Sequence, residues 1–231
     1  MKAVILAAGK GERFREVTDA IPKPMLVYKD KPVLEHNILL CKKYGITDLY
    51  INLHHLPDVI KNYFGDGSKF GVSIKYSFED ELLGTSGAVK KIANNFLQNS
   101  KEDFFVIYGD NYSDLDLSML KNKFDEVNPL GVIGFHYRED VSSSGVALFD
   151  ENFKIKEFIE KPKTDVGTNW VNAGIYYFSP EVLNFIPEGY SDFGRDIFPD
   201  LMKKNQFLYG VCYKDDVLYF DTKEFYNKNI S

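Results

Sequence analysis

Two stretches of this sequence carry residues suited to holding phosphate. Leu6-Ala7-Ala8-Gly9-Lys10-Gly11-Glu12-Arg13 continues the apolar run that starts at Lys2, and Ile21-Pro22-Lys23-Pro24-Met25 follows it. Ala8 and Gly9 have almost no side chain, so a flat base or a phosphate can approach the main chain closely. Arg13 offers a rigid fork of donors matched to phosphate oxygens, and Lys23 a movable point charge. Pro22 and Pro24 restrict the backbone on both sides of Lys23, which limits where its ammonium can reach. Further on, Gly109-Asp110-Asn111 ends another apolar run. An Asp in that place suits Mg²⁺ on a triphosphate, because this cation prefers carboxylate and phosphate oxygens. Gly-x-Gly alone reads as a tight strand-to-helix turn. Phe14 breaks the G-x-G-x-x-G pattern and no Gly-Lys-Ser/Thr follows, so a dinucleotide fingerprint and a P-loop are both disfavoured.

The elements that must position these groups alternate through the first half. Lys2–Leu6, Leu49–Leu53, Val72–Ser77 and Phe104–Tyr108 have the length and apolar content of strands. Between them, Pro32–Tyr44 (stopped by Gly45), Pro57–Phe64 and Thr85–Phe96 carry helical patterns. This order predicts an α/β fold with a doubly wound, mainly parallel, Rossmann-like sheet. Past residue 130 the strand-like stretches crowd together at 131–137, 145–149, 158–159, 170–178, 207–213 and 217–220. Rich in Tyr and Phe, they predict antiparallel additions to the sheet. No linker-like composition intervenes, so a single domain over 1–231 is expected, with halves meeting near 128/129. In doubly wound sheets the ligand lies beyond the carboxyl ends of the strands. The 7–13 loop, Gly84-Thr85-Ser86-Gly87 and Gly109-Asp110-Asn111 all fall there.

Composition narrows the function classes. Lys and Arg number 28 against 34 Asp and Glu, a net −6, and the basic residues are scattered. Nucleic acid is therefore not an expected partner. Cys41 and Cys212 are too few and too distant for a disulfide framework or a zinc site, and read as buried small hydrophobes. No charged-then-apolar leader precedes Lys2 and no apolar run reaches spanning length, so a soluble cytoplasmic protein without a membrane partner is expected. An oligomer stays open. His54 and His55, adjacent on extended chain, point to opposite sides and are expected as surface loop residues, not as a shared ligand pair. The 15 Tyr and 19 Phe are expected in core and strand packing, with Trp170 either a stacking surface or part of a core.

Taken whole, Leu6-Ala7-Ala8-Gly9-x-Gly11-x-Arg13 followed by Lys23 between two prolines closely resembles the signature of the sugar-1-phosphate nucleotidylyltransferases, the nucleoside-diphosphate-sugar pyrophosphorylases. The likeness continues through Glu79–Ala88, Gly109-Asp110, Gly145, Glu160-Lys161-Pro162 and Asn172-Ala173-Gly174-Ile175-Tyr176. It implies a GT-A-like fold and transfer of a nucleoside monophosphate from an NTP to a sugar 1-phosphate, with Mg²⁺, releasing pyrophosphate. Leu6, Ala7, Ala8, Gly9, Gly11, Gly84 and Thr85 would line the nucleotide. Arg13 would bind the triphosphate, Lys23 the reacting phosphates and Asp110 the metal. Lys161 would take the sugar 1-phosphate, Glu160 and Asn172 its hydroxyls, with Asn111 and Gly145 beside the sugar. Asp221 is the candidate second metal carboxylate, although its stretch lacks the family glycine and places it two positions late. The loop Glu16-Val17-Thr18-Asp19 before Ile-Pro-Lys-Pro-Met looks more like the heptose-1-phosphate guanylyltransferase branch.

The resemblance places Glu79, five positions before Gly84, where the family reads the base. An ionised carboxylate only accepts hydrogen bonds, and guanine presents two adjacent donors to it. GTP is therefore expected, and the resemblance implies a mannose- or heptose-type sugar phosphate; the plain alternative for Glu79 is a solvated charge beside Asp80 and Glu81. UTP or CTP with another sugar phosphate or a choline-type phosphate also fits, as does a non-catalytic homologue that binds nucleotide sugar. A glycosyltransferase would instead need Asp114-Leu115-Asp116 as its metal motif.

Overall fold

The computed structural model describes residues 1–11, 18–97, 100–220 and 226–228. Arg13 and Asp221 lie outside the described residues. From the N-terminus come β1 (Lys2–Leu6), β2 (Val27–Tyr28), β3 (Lys31–Pro32), α1 (Val33–Lys43), β4 (Asp48–Leu53) and α2 (Pro57–Phe64). Next are β5 (Ser73–Phe78), α3 (Gly84–Ile92), β6 (Phe104–Tyr108), β7 (Asn111–Tyr112) and α4 (Leu117–Val127). The chain continues with β8 (Gly131–Tyr137), β9 (Gly145–Phe149), β10 (Ile155–Glu160), β11 (Trp170–Phe178), α5 (Phe198–Lys203), β12 (Leu208–Tyr213) and β13 (Leu218–Tyr219).

Most of these elements sit where the apolar runs put them. Pro57 opens α2 at a position whose missing N–H breaks no helical bond. Gly45, at φ +70°, follows the end of α1 in the left-handed region that glycine tolerates. The sequence reading passed over α4. Its signal is Asp116, whose carboxylate accepts from Ser118 N at 2.9 Å and caps the helix.

By internal contacts the chain forms two compact units. The first comprises Met1–Leu82, Ile107–Asp114 and the chain from Val217. Here β1 pairs β4 and β4 pairs β5, all parallel, with Lys2 opposite Asp48 and Asp48 opposite Ser73. Ala3, Val4, Ile5, Leu49 and Ile51 are buried whichever way they point, which explains runs without polar alternation. Val33, Leu34, Ile38 and Cys41 of α1 join this core. Gly109 follows β6 so closely against β1 that its N–H donates to Leu6 O at 2.8 Å. A Cβ there would stand 3.0 Å from that same oxygen.

The second unit comprises Leu83–Val106 and Leu115–Asp216. β10, β9, β11 and β8 neighbour one another antiparallel in that order, and β12 adds to β8 in parallel. The core is aromatic, as the composition led one to expect: the rings of Tyr176, Phe178, Phe193 and Phe198 meet with centroids as close as 5.4 Å. Phe124 anchors α4 on Tyr177 at 5.0 Å. The fold is thus α/β, with the parallel strands and antiparallel additions expected. Cys41 is buried as expected, whereas Cys212 is half-buried. Among the described residues no helix is long and apolar enough to cross a membrane.

His136, on β8 between β11 and β12, is buried in the second unit. Burial, and secondarily the Arg138 charge, push its pKa from 6.5 down to about 4. The unfolded chain, with the ordinary value, binds the proton more readily, so this residue costs no stability above about pH 6.5. Between there and about pH 4 the protein loses up to roughly 3 kcal/mol through this group. Urea unfolding of His136→Gln should show a shallower decline over that range than the wild type. Parallel pH profiles would show that His136 contributes nothing to the decline.

Candidate active site

Of the residues expected to touch nucleotide, Leu6, Ala7, Ala8, Gly9 and Glu79 lie at or just past the carboxyl ends of β1 and β5 in the first unit. Ala7, one residue past β1, donates its N–H to Asn52 Oδ1 at 2.6 Å. Asn52, on β4, donates in turn to Glu79 Oε1 at 2.8 Å, just past β5. Glu79 is 1% exposed, and its own N–H and carbonyl are held by Leu53 O and His54 Nδ1. It is therefore not the solvated strand-end charge of the plain alternative. The relay aims the loop after β1: the side chains of Ala7 and Ala8 are buried, and among the described residues nothing would meet a Cβ on Gly9. A main chain so exposed can be approached by a base or phosphate.

Gly11 and Thr18 meet in the first unit. Gly11 has φ +63°, and any Cβ there would sit 2.7 Å from the Thr18 methyl. Thr18 is fully buried, donates its hydroxyl to Gly11 O at 2.9 Å, and receives His55 Nε2 on its carbonyl at 2.7 Å. The two histidines, expected as surface residues, are half-buried and each grips a different backbone oxygen.

Lys23 and Asp110 meet. Pro22 sits at the start of a 3₁₀ turn over Lys23–Met25, and the turn leaves the Lys23 side chain only 8% exposed. Its Nζ stands 2.7 Å from Asp110 Oδ2, while the Asp110 side chain is 29% exposed. Asn37 fixes the strand end that bears Asp110. Buried on α1, its amide nitrogen lies 3.3 Å from Gly109 O and 2.9 Å from Asn111 O, spanning Asp110 on both sides. One carboxylate, partly open and on a rigid support, fits Mg²⁺ when phosphate oxygens and waters complete its octahedron.

In the second unit the Gly84–Gly87 stretch is laced to residues 189–193. Gly84 has φ +73° and faces Ser191 O, which a Cβ would strike. Ser86 N and Gly87 N both donate to Ser191 O, at 3.1 and 3.2 Å. The Thr85 hydroxyl donates to Asp192 Oδ2 and accepts from Phe193 N, each at 2.9 Å. Phe193 anchors this segment in the aromatic core. Glu160 ends β10, and a Cβ on Gly145 would lie 2.7 Å from its Oε2, one on Gly194 2.5 Å. Burial and then the Asp192 charge raise the Glu160 pKa above its ordinary value. Lys161 is exposed at φ +50°. Asn172 sits at the β11 irregularity, accepting from Gly174 N and donating to Tyr176 OH.

The alternative metal motif is spent on structure. Asp114 pairs with Lys43 on the surface at 3.0 Å, and Asp116 caps α4. Sequence reasoning missed Asn37, Asn52, Thr18 and Asp192. Asn37 had a signal: it is the polar residue at the helical spacing of Val33 and Cys41. Removing its amide in Asn37→Ala leaves the Gly109 and Asn111 carbonyls short of a donor, at a cost of about 1–3 kcal/mol. A denaturation midpoint shifted by less than the equivalent of about 0.5 kcal/mol would contradict this placement.

The family model for nucleotidyl transferases matches residues 2–221. UTP–glucose-1-phosphate uridylyltransferase of Synechocystis is 40% identical, covering 91% of this chain and 58% of that protein. Probable mannose-1-phosphate guanylyltransferase 1 of Oryza sativa is 33% identical, over 89% of this chain and 57% of its own length. The chain thus spans somewhat over half the length of these curated relatives. The crystal structure of HddC from Yersinia pseudotuberculosis complexed with GMP-PN superposes with a TM-score of 0.81 at 25% identity, covering 99% of this chain and 97% of that one. This chain belongs to the nucleotidyl transferase family.

Proposed function

We propose that the chain transfers a nucleoside monophosphate from an NTP to a sugar 1-phosphate. The observation that carries this reading is the Lys23–Asp110 pair, set at a strand end beside an open glycine loop. A phosphate oxygen of the sugar 1-phosphate attacks the α-phosphorus in line. The bond from that phosphorus to the α–β bridging oxygen breaks, and pyrophosphate leaves with its electron pair. The nucleophile is already anionic and needs no general base, so the chain's part is positioning and charge neutralisation. Asp110, and with it Asp221, would hold Mg²⁺, which when bound would neutralise phosphate charge. Lys23 would bind the reacting phosphates and Arg13 the triphosphate.

On the sugar side, Lys161 takes the phosphate, Glu160 and Asn172 take hydroxyls, and Asn111 and Gly145 lie beside the ring. Gly84 and Thr85 support the nucleotide with Leu6, Ala7, Ala8, Gly9 and Gly11. Residues 1–231 would act as one nucleotidyltransferase domain, in the cytoplasm. GTP is the favoured nucleotide, because a carboxylate at Glu79 would accept from the two adjacent donors that guanine presents. A mannose- or heptose-type sugar phosphate completes the proposal.

Pyrophosphate release from each NTP, measured with hexose and heptose 1-phosphates, should be greatest with GTP. Lys23→Ala and Asp110→Ala should each lower kcat on the order of 100-fold. Near-normal turnover by either variant at saturating Mg²⁺ and substrates would refute the assigned roles. Glu79→Gln keeps an acceptor for Asn52 but introduces a donor, so it should erode preference for GTP over UTP in kcat/KM. A wild type that prefers UTP removes the case for guanine.

A further inference from the structure

The C-terminal stretch of the first unit reaches both flanks of the Lys23–Asp110 pair. β13 pairs with β7 in a register that sets Tyr219 opposite Asn111, the residue after Asp110. Phe220, fully buried, packs with Leu26 and Val33, and Tyr28, Tyr112, Leu218 and Tyr226 close around them. Leu26 directly follows the turn that carries Lys23. Tyr226 reaches the next residue. Its hydroxyl accepts from Val27 N at 3.2 Å and donates to Val27 O at 2.9 Å, over a separation of 199 residues. Its ring meets Phe220 edge-on at 5.8 Å and 87°. One hydroxyl thus serves the donor and the acceptor of Val27 as a neighbouring strand would.

We propose that Tyr226 is a positioning residue for the Lys23–Asp110 pair. It clasps the outgoing end of the Lys23 turn while β13 lies along the outgoing end of the Asp110 strand, so a single segment registers one against the other. The lysine side chain is a flexible stem, so where its ammonium meets Asp110 depends on where the backbone starts it. The kinetic consequence rests on the proposed transfer reaction; the structural consequence does not. A misplacement of about 1 Å at such a centre can cost on the order of 100-fold in rate, so loss of one clasp should cost on the order of tenfold.

The test compares Tyr226→Phe with Tyr76→Phe. The first keeps its ring and loses both bonds to Val27. The second loses a single hydroxyl bond, to Gly65 O at 2.8 Å, elsewhere in the same unit. In substrate-free protein the Lys23 ammonium is followed by ¹⁵N NMR, assigned with Lys23→Arg, and kcat and KM are measured alongside. Tyr226→Phe should displace or broaden the Lys23 signal and lower kcat on the order of tenfold with KM nearly unchanged. Tyr76→Phe should leave both as in the wild type. A wild-type Lys23 signal in Tyr226→Phe, or the same perturbation in Tyr76→Phe, would overturn the proposal. Because the signal is read without turnover, a wild type that fails to release pyrophosphate counts against the transfer reaction alone.

Discussion

An ammonium and a carboxylate held 2.7 Å apart, one almost buried and the other partly open, organise the first unit. Taking a lysine out of water is unfavourable unless a counter-charge meets it. Every support around Lys23 and Asp110 serves that meeting: the proline-flanked turn, the amide of Asn37, and the approach of Gly109 to Leu6. The asymmetry in exposure matters for chemistry. Asp110 is partly open to solvent, whereas Lys23 is almost buried. In the resting structure the two meet as a salt bridge, with the carboxylate the more accessible partner.

The same logic extends outward through buried polar contacts. Ala7, Asn52 and Glu79 hold the open glycine loop by a relay that crosses the carboxyl ends of the parallel strands. Thr18 and His55 clamp the far side of that loop. In the second unit, Thr85 and Ser86 lean on Ser191 and Asp192, and Phe193 ties those residues to an aromatic core. Each relay ends on rigid strand or helix, which is what a preorganised electrostatic site requires.

The sequence made part of this legible and hid the rest. Strands such as β1, β6 and β11 could be read because buried strands announce themselves as apolar runs. Lys23 and Asp110 could be read because their types and neighbours suit phosphate and metal. Local spacing puts Asn37 on the buried face of its helix, but neither its partner nor that of Asn52 could be read, since they lie 72 and 45 residues away. Glu79 shows the middle case: its position was marked, yet its burial depends on how β4 and β5 align. Asp192 was passed over because its tie to Thr85 spans 107 residues.

The central claim is that Lys23 and Asp110 act as one unit in the transfer step. A double-mutant cycle on kcat with Lys23→Ala, Asp110→Ala and the combined variant tests it most directly. Residues acting as a unit are strongly non-additive, so the combined variant should be no slower than the worse single one within a factor of about 3. Multiplication of the two single effects in the combined variant would contradict the account.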